Sequence, residues 1–155
     1  MNNTKSTAME IIEKRSAGGI VVKDDMVLTL FVPGHEEVVF PKGTIEEGES
    51  PSETAVREVA EETGYHTRIV AEIDTTTYEF EEGGKQYRKT VYYFLMQLID
   101  EHETPAPQRE AGEEFENLWL SIHDARIRLT HQNNKDVLES SLGQIAKARV
   151  GGKGV

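Results

Sequence analysis

The chain has 155 residues, a formal net charge of −11 and no cysteine. This length predicts a single domain over residues 1–155, with a core of about 15–148 and frayed ends. No apolar run approaches the roughly 20 residues of a membrane-spanning helix, and the first residues lack the apolar core of a secretory signal. The negative charge argues against binding to nucleic-acid polymers. We therefore expect a cytoplasmic protein, monomeric or homodimeric, that binds small anionic molecules through metal cations.

Strand signals occur in both halves of the chain, and two tight turns separate consecutive strands at Asp24-Asp25 and Gly83-Gly84. Loops are predicted for residues 41–48 and 101–112, which are rich in Gly, Pro and Glu. The strands do not alternate regularly with helices, so the fold class is α/β of the α+β kind, with a mixed sheet sandwiched between helices. The predicted strands are residues 17–23, 26–33, 38–40, 68–81, 86–98 and 115–120.

The clearest helix start in the chain lies at Ser50, which is followed by Pro51 and, three residues on, by Glu53. Ser as N-cap, Pro at the first helical position and Glu at the third form a capping box. Gly64 suits the left-handed residue that ends a helix, so the pattern predicts a helix over 51–63. A second helix is predicted over 134–148, where apolar residues recur at helical spacing.

The helix over 51–63 carries three glutamates at i, i+3 and i+4, namely Glu58, Glu61 and Glu62, which share one face. The neighbouring face, with Ala55, Val56, Val59 and Thr63, can pack on a sheet. A row of carboxylates in an acidic protein is often just a solvated surface. Alternatively, it binds hard cations such as Mg²⁺, which take carboxylate, water and phosphate oxygens.

The surrounding residues favour the metal-binding alternative. From Gly43 to Tyr65 the chain reads G-x5-E-x7-R-E-U-x-E-E-x-G-U, where U is an apolar residue. This pattern resembles the signature of the Nudix hydrolases in full, apart from Tyr65 at a usually aliphatic position. The resemblance implies a Nudix fold and a Mg²⁺-dependent pyrophosphohydrolase in which Mn²⁺ can substitute.

The resemblance also implies roles for the residues of the signature. Glu58 and Glu62 would be the principal metal ligands, Glu61 a further ligand or base, and the backbone carbonyl of Gly43 another ligand. Arg57 would orient carboxylates, because its planar fork of donors can hold Glu49 or a helix glutamate in one position. The alternative for Arg57 is a simple exposed pair with Glu61.

Many Nudix enzymes use one more glutamate from a later loop, about six residues before a Trp. Counting back from Trp119 selects Glu113 as a further metal ligand or general base. Its neighbours Glu110, Glu114 and Glu116 are the alternatives if the register is shifted.

Beyond the signature, Phe40-Pro41-Lys42-Gly43 and the segment 89–95 are most similar to the dinucleoside polyphosphate hydrolase branch. Diadenosine polyphosphates, with ATP as one product, are the expected substrates. Lys42 and Lys89 would neutralise phosphate charge, although Lys89 is equally well explained as a solvated strand lysine. The candidate adenine platforms, which ordinary strand packing would also explain, are Tyr78, Tyr87 and Tyr92.

Two other functions remain open at this stage. One is a housekeeping pyrophosphohydrolase of oxidised or surplus nucleoside triphosphates. The other is a catalytically silent module that binds nucleotides as a sensor, but such modules normally lose signature carboxylates, and this chain keeps them all.

Overall fold

The computed structural model describes residues 10–100 and 114–150. Its strands form a seven-stranded mixed sheet. Five strands follow one another in the order β3-β2-β1-β6-β5, while β4 pairs with β1 and β7 pairs with β2. Only β1 and β6 pair in parallel. The elements are β1 (Ile11–Lys23), β2 (Met26–Val32), β3 (Glu37–Val39), β4 (Lys42–Thr44), α1 (Pro51–Thr63), β5 (Thr67–Glu82), β6 (Lys85–Leu98), β7 (Glu116–Ser121), α2 (Ile122–Arg128) and α3 (Gln132–Val150).

Alternation along β1 and β6 divides the core between the two faces of the sheet. On one face Ile20 and Leu95 belong to a cluster with Leu138 of α3. On the other face Ala17 and Phe94 belong to a second cluster that α1 completes with Ala55 and Val59. The predicted three-layer sandwich of a mixed sheet between helices is confirmed.

Helix α1 has the predicted bounds and the predicted caps. The Ser50 hydroxyl accepts a hydrogen bond from the Glu53 amide at 3.2 Å, and the Glu53 carboxylate accepts one from the Ser50 amide at 2.9 Å. Gly64 ends the helix with a φ of 86°, a left-handed conformation that glycine adopts without strain. These local signals therefore place the three signature glutamates on the helix surface.

Both predicted hairpins are present. Lys23 pairs with Met26 around Asp24-Asp25, and Glu82 pairs with Lys85 around Gly83-Gly84. All four turn residues have positive φ, as two-residue turns between twisted strands require.

The sequence patterns differ from the structure at three places. Helix α2 (Ile122–Arg128) was not predicted. Strand β1 begins at Ile11 rather than at residue 17, because its charged first half is held by parallel pairing with β6. Residues 42–44, predicted as loop, form β4 by pairing with Ser16, Ala17 and Gly18 of β1. The predicted loop over 101–112 and the predicted tail lie outside the described residues. Within the described part of the chain, no helix is long and apolar enough to cross a bilayer.

Candidate active site

Arg57 is the centre of a carboxylate network on α1. Its guanidinium donates to both oxygens of Glu49, at 2.6 and 3.0 Å, and to the carboxylates of Glu58 at 3.0 Å and Glu61 at 3.1 Å. It also donates to the backbone carbonyl of Thr44 in β4 at 3.1 Å. The Arg57 hydrogen bond lowers the pKa of Glu49 to about 2, so Glu49 stays ionised across the physiological range. Arg57 thus holds glutamates of two segments in fixed positions, and an exposed pair with Glu61 alone does not describe it.

Glu58 lies against the backbone of β4. Only 14% of its side chain is exposed, and a Cβ added to Gly43 would overlap its carboxylate. Glycine is therefore required here for close approach. Burial raises the pKa of Glu58 despite the charge of Arg57, and the negative charge of Glu61 adds to this effect. The arrangement brings a partly desolvated carboxylate next to the Gly43 backbone.

Glu62 points from α1 toward the opposite side of β4. One of its oxygens accepts a hydrogen bond from the Lys42 amide at 3.0 Å, and its side chain lines a cavity of about 520 Å³. The three glutamates share a helix face as predicted. The carboxylates of Glu58 and Glu61 accept hydrogen bonds from Arg57, whereas that of Glu62 accepts one from the Lys42 amide. Among residues 10–100 and 114–150, no three His, Asp or Glu side chains already form a metal cage.

The first turn of α3 forms one wall of the cavity beside Glu62. Asn134 accepts a hydrogen bond from the Phe40 amide at 3.3 Å and donates one to the Tyr93 hydroxyl at 3.1 Å. Burial raises the pKa of Tyr93, which keeps that hydroxyl protonated. Thr76 also lines the cavity, and its buried hydroxyl has no hydrogen-bond partner among the described residues. The result is a pocket whose lining combines apolar and aromatic side chains with polar ones, which can fix the orientation of a small molecule.

Lys42 and Lys89 lie on the cavity side of the sheet. Residues that pair across strands, and residues two positions apart on one strand, lie on the same face of a sheet. Lys42 pairs with Gly18, which pairs with Tyr93, and Lys89 is two positions before Val91. Both lysines therefore lie on the face where Tyr93 and Val91 line the cavity. Partial burial is the first cause that lowers the pKa of Lys89 to about 8, and the charges of Lys42 and Lys14 contribute further. The two predicted phosphate-binding lysines are therefore neighbours, and Lys14 is a third lysine close to them.

The three candidate tyrosines lie in different surroundings. Tyr78 lines the cavity. Tyr87 stacks on Phe80 of β5 with ring centroids 5.1 Å apart. The Lys14 ammonium of β1 lies 4.8 Å from the centre of the Tyr87 ring. Tyr92 faces the α1 side of the sheet, where it packs with the second core cluster. Tyr78 is the candidate that the structure brings to the cavity.

Strand β7 is joined to the end of α1. Asn117 donates to the carbonyl of Thr63 at 2.8 Å, and Tyr65 meets Trp119 edge to face at 5.6 Å. This contact explains the aromatic residue at the last signature position. Glu113 lies outside the described residues and stays a prediction, whereas Glu114 and Glu116 are exposed beside it.

Sequence reasoning missed Lys14, Thr76 and Asn134. Each reaches the site through pairing or packing between distant segments. The charged pattern around Lys14 gave no strand signal, and a Thr or Asn in a strand or helix is unremarkable in a single sequence.

Comparison with known proteins agrees with this geometry. The NUDIX domain model matches residues 13–140. A Mycobacterium tuberculosis protein described as a mutator protein, MutT4, is 32% identical over 144 residues, covering 86% of this chain and 56% of its own length. Mouse bis(5'-nucleosyl)-tetraphosphatase (asymmetrical) is 33% identical over 85 residues, covering 55% of this chain and 56% of its own length. The chain thus spans a little over half the length of each of these relatives.

A solved structure of an Ap4A hydrolase from C. elegans superimposes with a TM-score of 0.66 at 21% identity, covering 86% of this chain and 98% of that one. Nudix enzymes generally use divalent metals and act on small nucleotide substrates. The extent of the domain match shows that this chain belongs to the Nudix family.

Proposed function

We propose that the protein is a Mg²⁺-dependent hydrolase of dinucleoside polyphosphates that converts diadenosine tetraphosphate to ATP and AMP. The observation that carries this proposal is the closeness of Lys89 to Lys42, which lines the same cavity as Glu62. Two adjacent cations suit a phosphate chain that continues beyond the metal site. The mouse relative is a tetraphosphatase and the nematode structure is that of an Ap4A hydrolase, which supports the same substrate class.

The residues of α1 and β4 fit a hard divalent cation. Glu58 and Glu62 would be principal ligands, Glu61 a further one, and the Gly43 carbonyl would face the ion because no Cβ intervenes. Mg²⁺ usually takes only one or two carboxylates and completes its shell with water and phosphate, so a closed cage is not needed. When bound, Mg²⁺ or Mn²⁺ would polarise a phosphoryl oxygen and acidify a water.

The chain's own residues would then orient the reaction. Arg57 acts as a positioning residue, because it fixes Glu58 and Glu61 relative to Glu49. Glu61 or Glu113 would take the proton of the attacking water as its oxygen bonds to phosphorus and the P–O–P bridge breaks. The bridging oxygen would leave with one of the two nucleotide products.

One nucleoside would occupy the cavity of about 520 Å³. Tyr78 offers an aromatic face there, and base stacking on such a face contributes roughly 1–3 kcal/mol. Phosphates beyond the cavity would meet Lys42 and Lys89.

The second candidate is a housekeeping pyrophosphohydrolase of nucleoside triphosphates. The longer match is to a relative described as a mutator protein, and one cavity can accommodate a single nucleoside. A catalytically silent sensor is less well supported, because the signature glutamates and Arg57 are all present and ordered by hydrogen bonds.

The test is a comparison of substrates with Mg²⁺. We expect kcat/KM for diadenosine tetraphosphate to exceed that for ATP or dGTP by at least about tenfold, with ATP and AMP as products. Lys42→Ala should reduce this preference, because a longer chain carries more charge past the metal. Product chromatography in ¹⁸O-labelled water would locate the attacked phosphorus.

Lys147→Ala is the matched control, since Lys147 is exposed near the end of α3 and lies about 22 Å along that helix from Gln132 at the cavity. Equal or faster hydrolysis of triphosphates, with release of pyrophosphate, would replace this proposal with the housekeeping function.

A further inference from the structure

We propose that Lys14 completes a distal phosphate subsite with Lys42 and Lys89, and that this subsite determines preference for polyphosphate chain length. The inference rests on the proposed action on polyphosphates and extends it to a residue of β1. It concerns the part of the ligand farthest from the carboxylates of α1, and it does not depend on which base the cavity accepts.

The sheet register places the three lysines on one face. Lys14 pairs side by side with Lys89 in the parallel ladder between β1 and β6, and β4 pairs with β1 four residues further on. Neighbouring strands lie about 4.8 Å apart, so Lys14 and Lys89 are adjacent, and the side chain of Lys42 is close enough to Lys89 to lower the pKa of Lys89. Lys42 is the member nearest the carboxylates, because its amide donates to Glu62.

Lys14 is held in place by an aromatic ring. Its ammonium lies 4.8 Å from the centre of the Tyr87 ring, and Tyr87 itself is stacked on Phe80. A cation over an aromatic face is attracted by the ring quadrupole while it can still contact an anion. Tyr87 is therefore better suited to positioning Lys14 than to stacking with a nucleobase.

Within the described part of the chain, no carboxylate forms an ion pair with any of the three lysines, although the protein carries a net charge of −11. The nearby Glu13 is bound to Arg88 at 2.9 Å and so does not supply the missing charge. Three cations without counterions point to a polyanionic ligand.

A cleft is present where this ligand would lie. It has a volume of about 400 Å³ at the edge of β1, and its lining includes Lys14, Lys89, Arg15 and Glu13 together with Ser16 and Thr44. The Thr44 carbonyl accepts a hydrogen bond from Arg57 at 3.1 Å, so one end of the cleft borders the carboxylate network. A chain that enters at Glu62 and Lys42 would pass Lys89 and reach Lys14 only if it is long enough.

Metal-free binding of inorganic phosphates tests the subsite without catalysis. Isothermal titration calorimetry in EDTA should show that Lys14→Gln weakens tripolyphosphate binding by about three- to tenfold and pyrophosphate binding by less than about twofold. Lys14→Arg should retain the wild-type affinity, because it keeps the charge and the contact with Tyr87. Lys147→Gln removes one exposed lysine elsewhere and should leave both affinities unchanged.

The outcomes separate this proposal from the proposed function. Wild-type affinity for tripolyphosphate in a folded Lys14→Gln variant, an equal loss in Lys147→Gln, or no measurable binding by the wild type would each overturn the subsite. If the wild type prefers nucleoside triphosphates as substrates but Lys14→Gln still weakens tripolyphosphate binding selectively, the subsite stands and the dinucleoside assignment fails.

Discussion

The carboxylate network of α1 and the lysine group of β1, β4 and β6 differ in how their charges are satisfied. Arg57 makes hydrogen bonds to three glutamates and one backbone carbonyl, so the network is fixed before any ligand arrives. The lysines repel one another, and among the described residues the Lys14 ammonium contacts an aromatic ring, that of Tyr87, rather than a carboxylate.

We infer from this difference that the carboxylate network serves the reaction and that the lysine group selects the substrate. Groups that must align with a reacting phosphorus benefit from preorganisation, because small displacements reduce rates strongly. Unpaired cations instead gain most when a ligand supplies the missing charge. We therefore expect changes in the network to slow every substrate by a similar factor, and changes in the lysine group to act according to chain length.

The largest effect is expected for Glu62→Gln. Loss of one negative metal ligand should lower kcat by on the order of 10²–10⁴ for tetraphosphate and triphosphate substrates alike. The fold should persist, because the Gln amide oxygen can still accept the hydrogen bond from Lys42. Millimolar Mg²⁺ should raise the melting temperature of the wild type, and this rise should be smaller in the variant.

Glu139→Gln is the control for this experiment, because Glu139 is an exposed partner of Arg126 far along the sequence from the signature. Near-normal turnover of the Glu62→Gln variant would show that Glu62 is not a metal ligand.

A smaller loss is expected for Arg57→Lys. An ammonium cannot donate to Glu49 with two parallel hydrogen bonds while also holding Glu58 and Glu61. Activity should fall by about 10- to 100-fold, by the same factor for both substrate classes, and more Mg²⁺ should be needed for half-maximal rate. Arg126→Lys tests the same exchange at an exposed pair and should change rates less than about twofold. A loss confined to one substrate class would contradict the division between the two regions.

The carboxylate network could be predicted from the sequence because its determinants are local. Ser50, Pro51, Glu53 and Gly64 define the bounds of α1, and helical spacing then brings Glu58, Glu61 and Glu62 to one face. The contact between Gly43 and Glu58 was expected only through the family signature, since the pairing of β4 with β1 has no periodic pattern of its own.

Lys42 and Lys89 were expected from the family resemblance, but Lys14 could not be predicted, because its position depends on the parallel register between β1 and β6. Glu13, Lys14 and Arg15 interrupt the apolar pattern, so the strand seemed to begin later. Tyr87 and Tyr92 are five residues apart on one strand and must face opposite ways, but only the structure shows which face carries the cavity.

The smallest effect concerns the protonation of Lys89. Its pKa is about 8 in the folded protein against an ordinary value of 10.5, so between these values the unfolded chain binds more protons and stability should rise with pH. A bound polyphosphate reverses the repulsion from Lys42 and Lys14 and favours the charged form. Tripolyphosphate binding to the metal-free protein at pH 8.5 should therefore take up part of a proton, measured by calorimetry in buffers of different ionisation enthalpy.

The control is Lys89→Arg, which stays charged throughout and should bind tripolyphosphate without that uptake. The difference in proton uptake between the two proteins removes the contribution of the ligand's own titration. Below about pH 7 the two should agree, because Lys89 is then already protonated. Equal uptake by both proteins at pH 8.5 would show that Lys89 does not meet the phosphate chain.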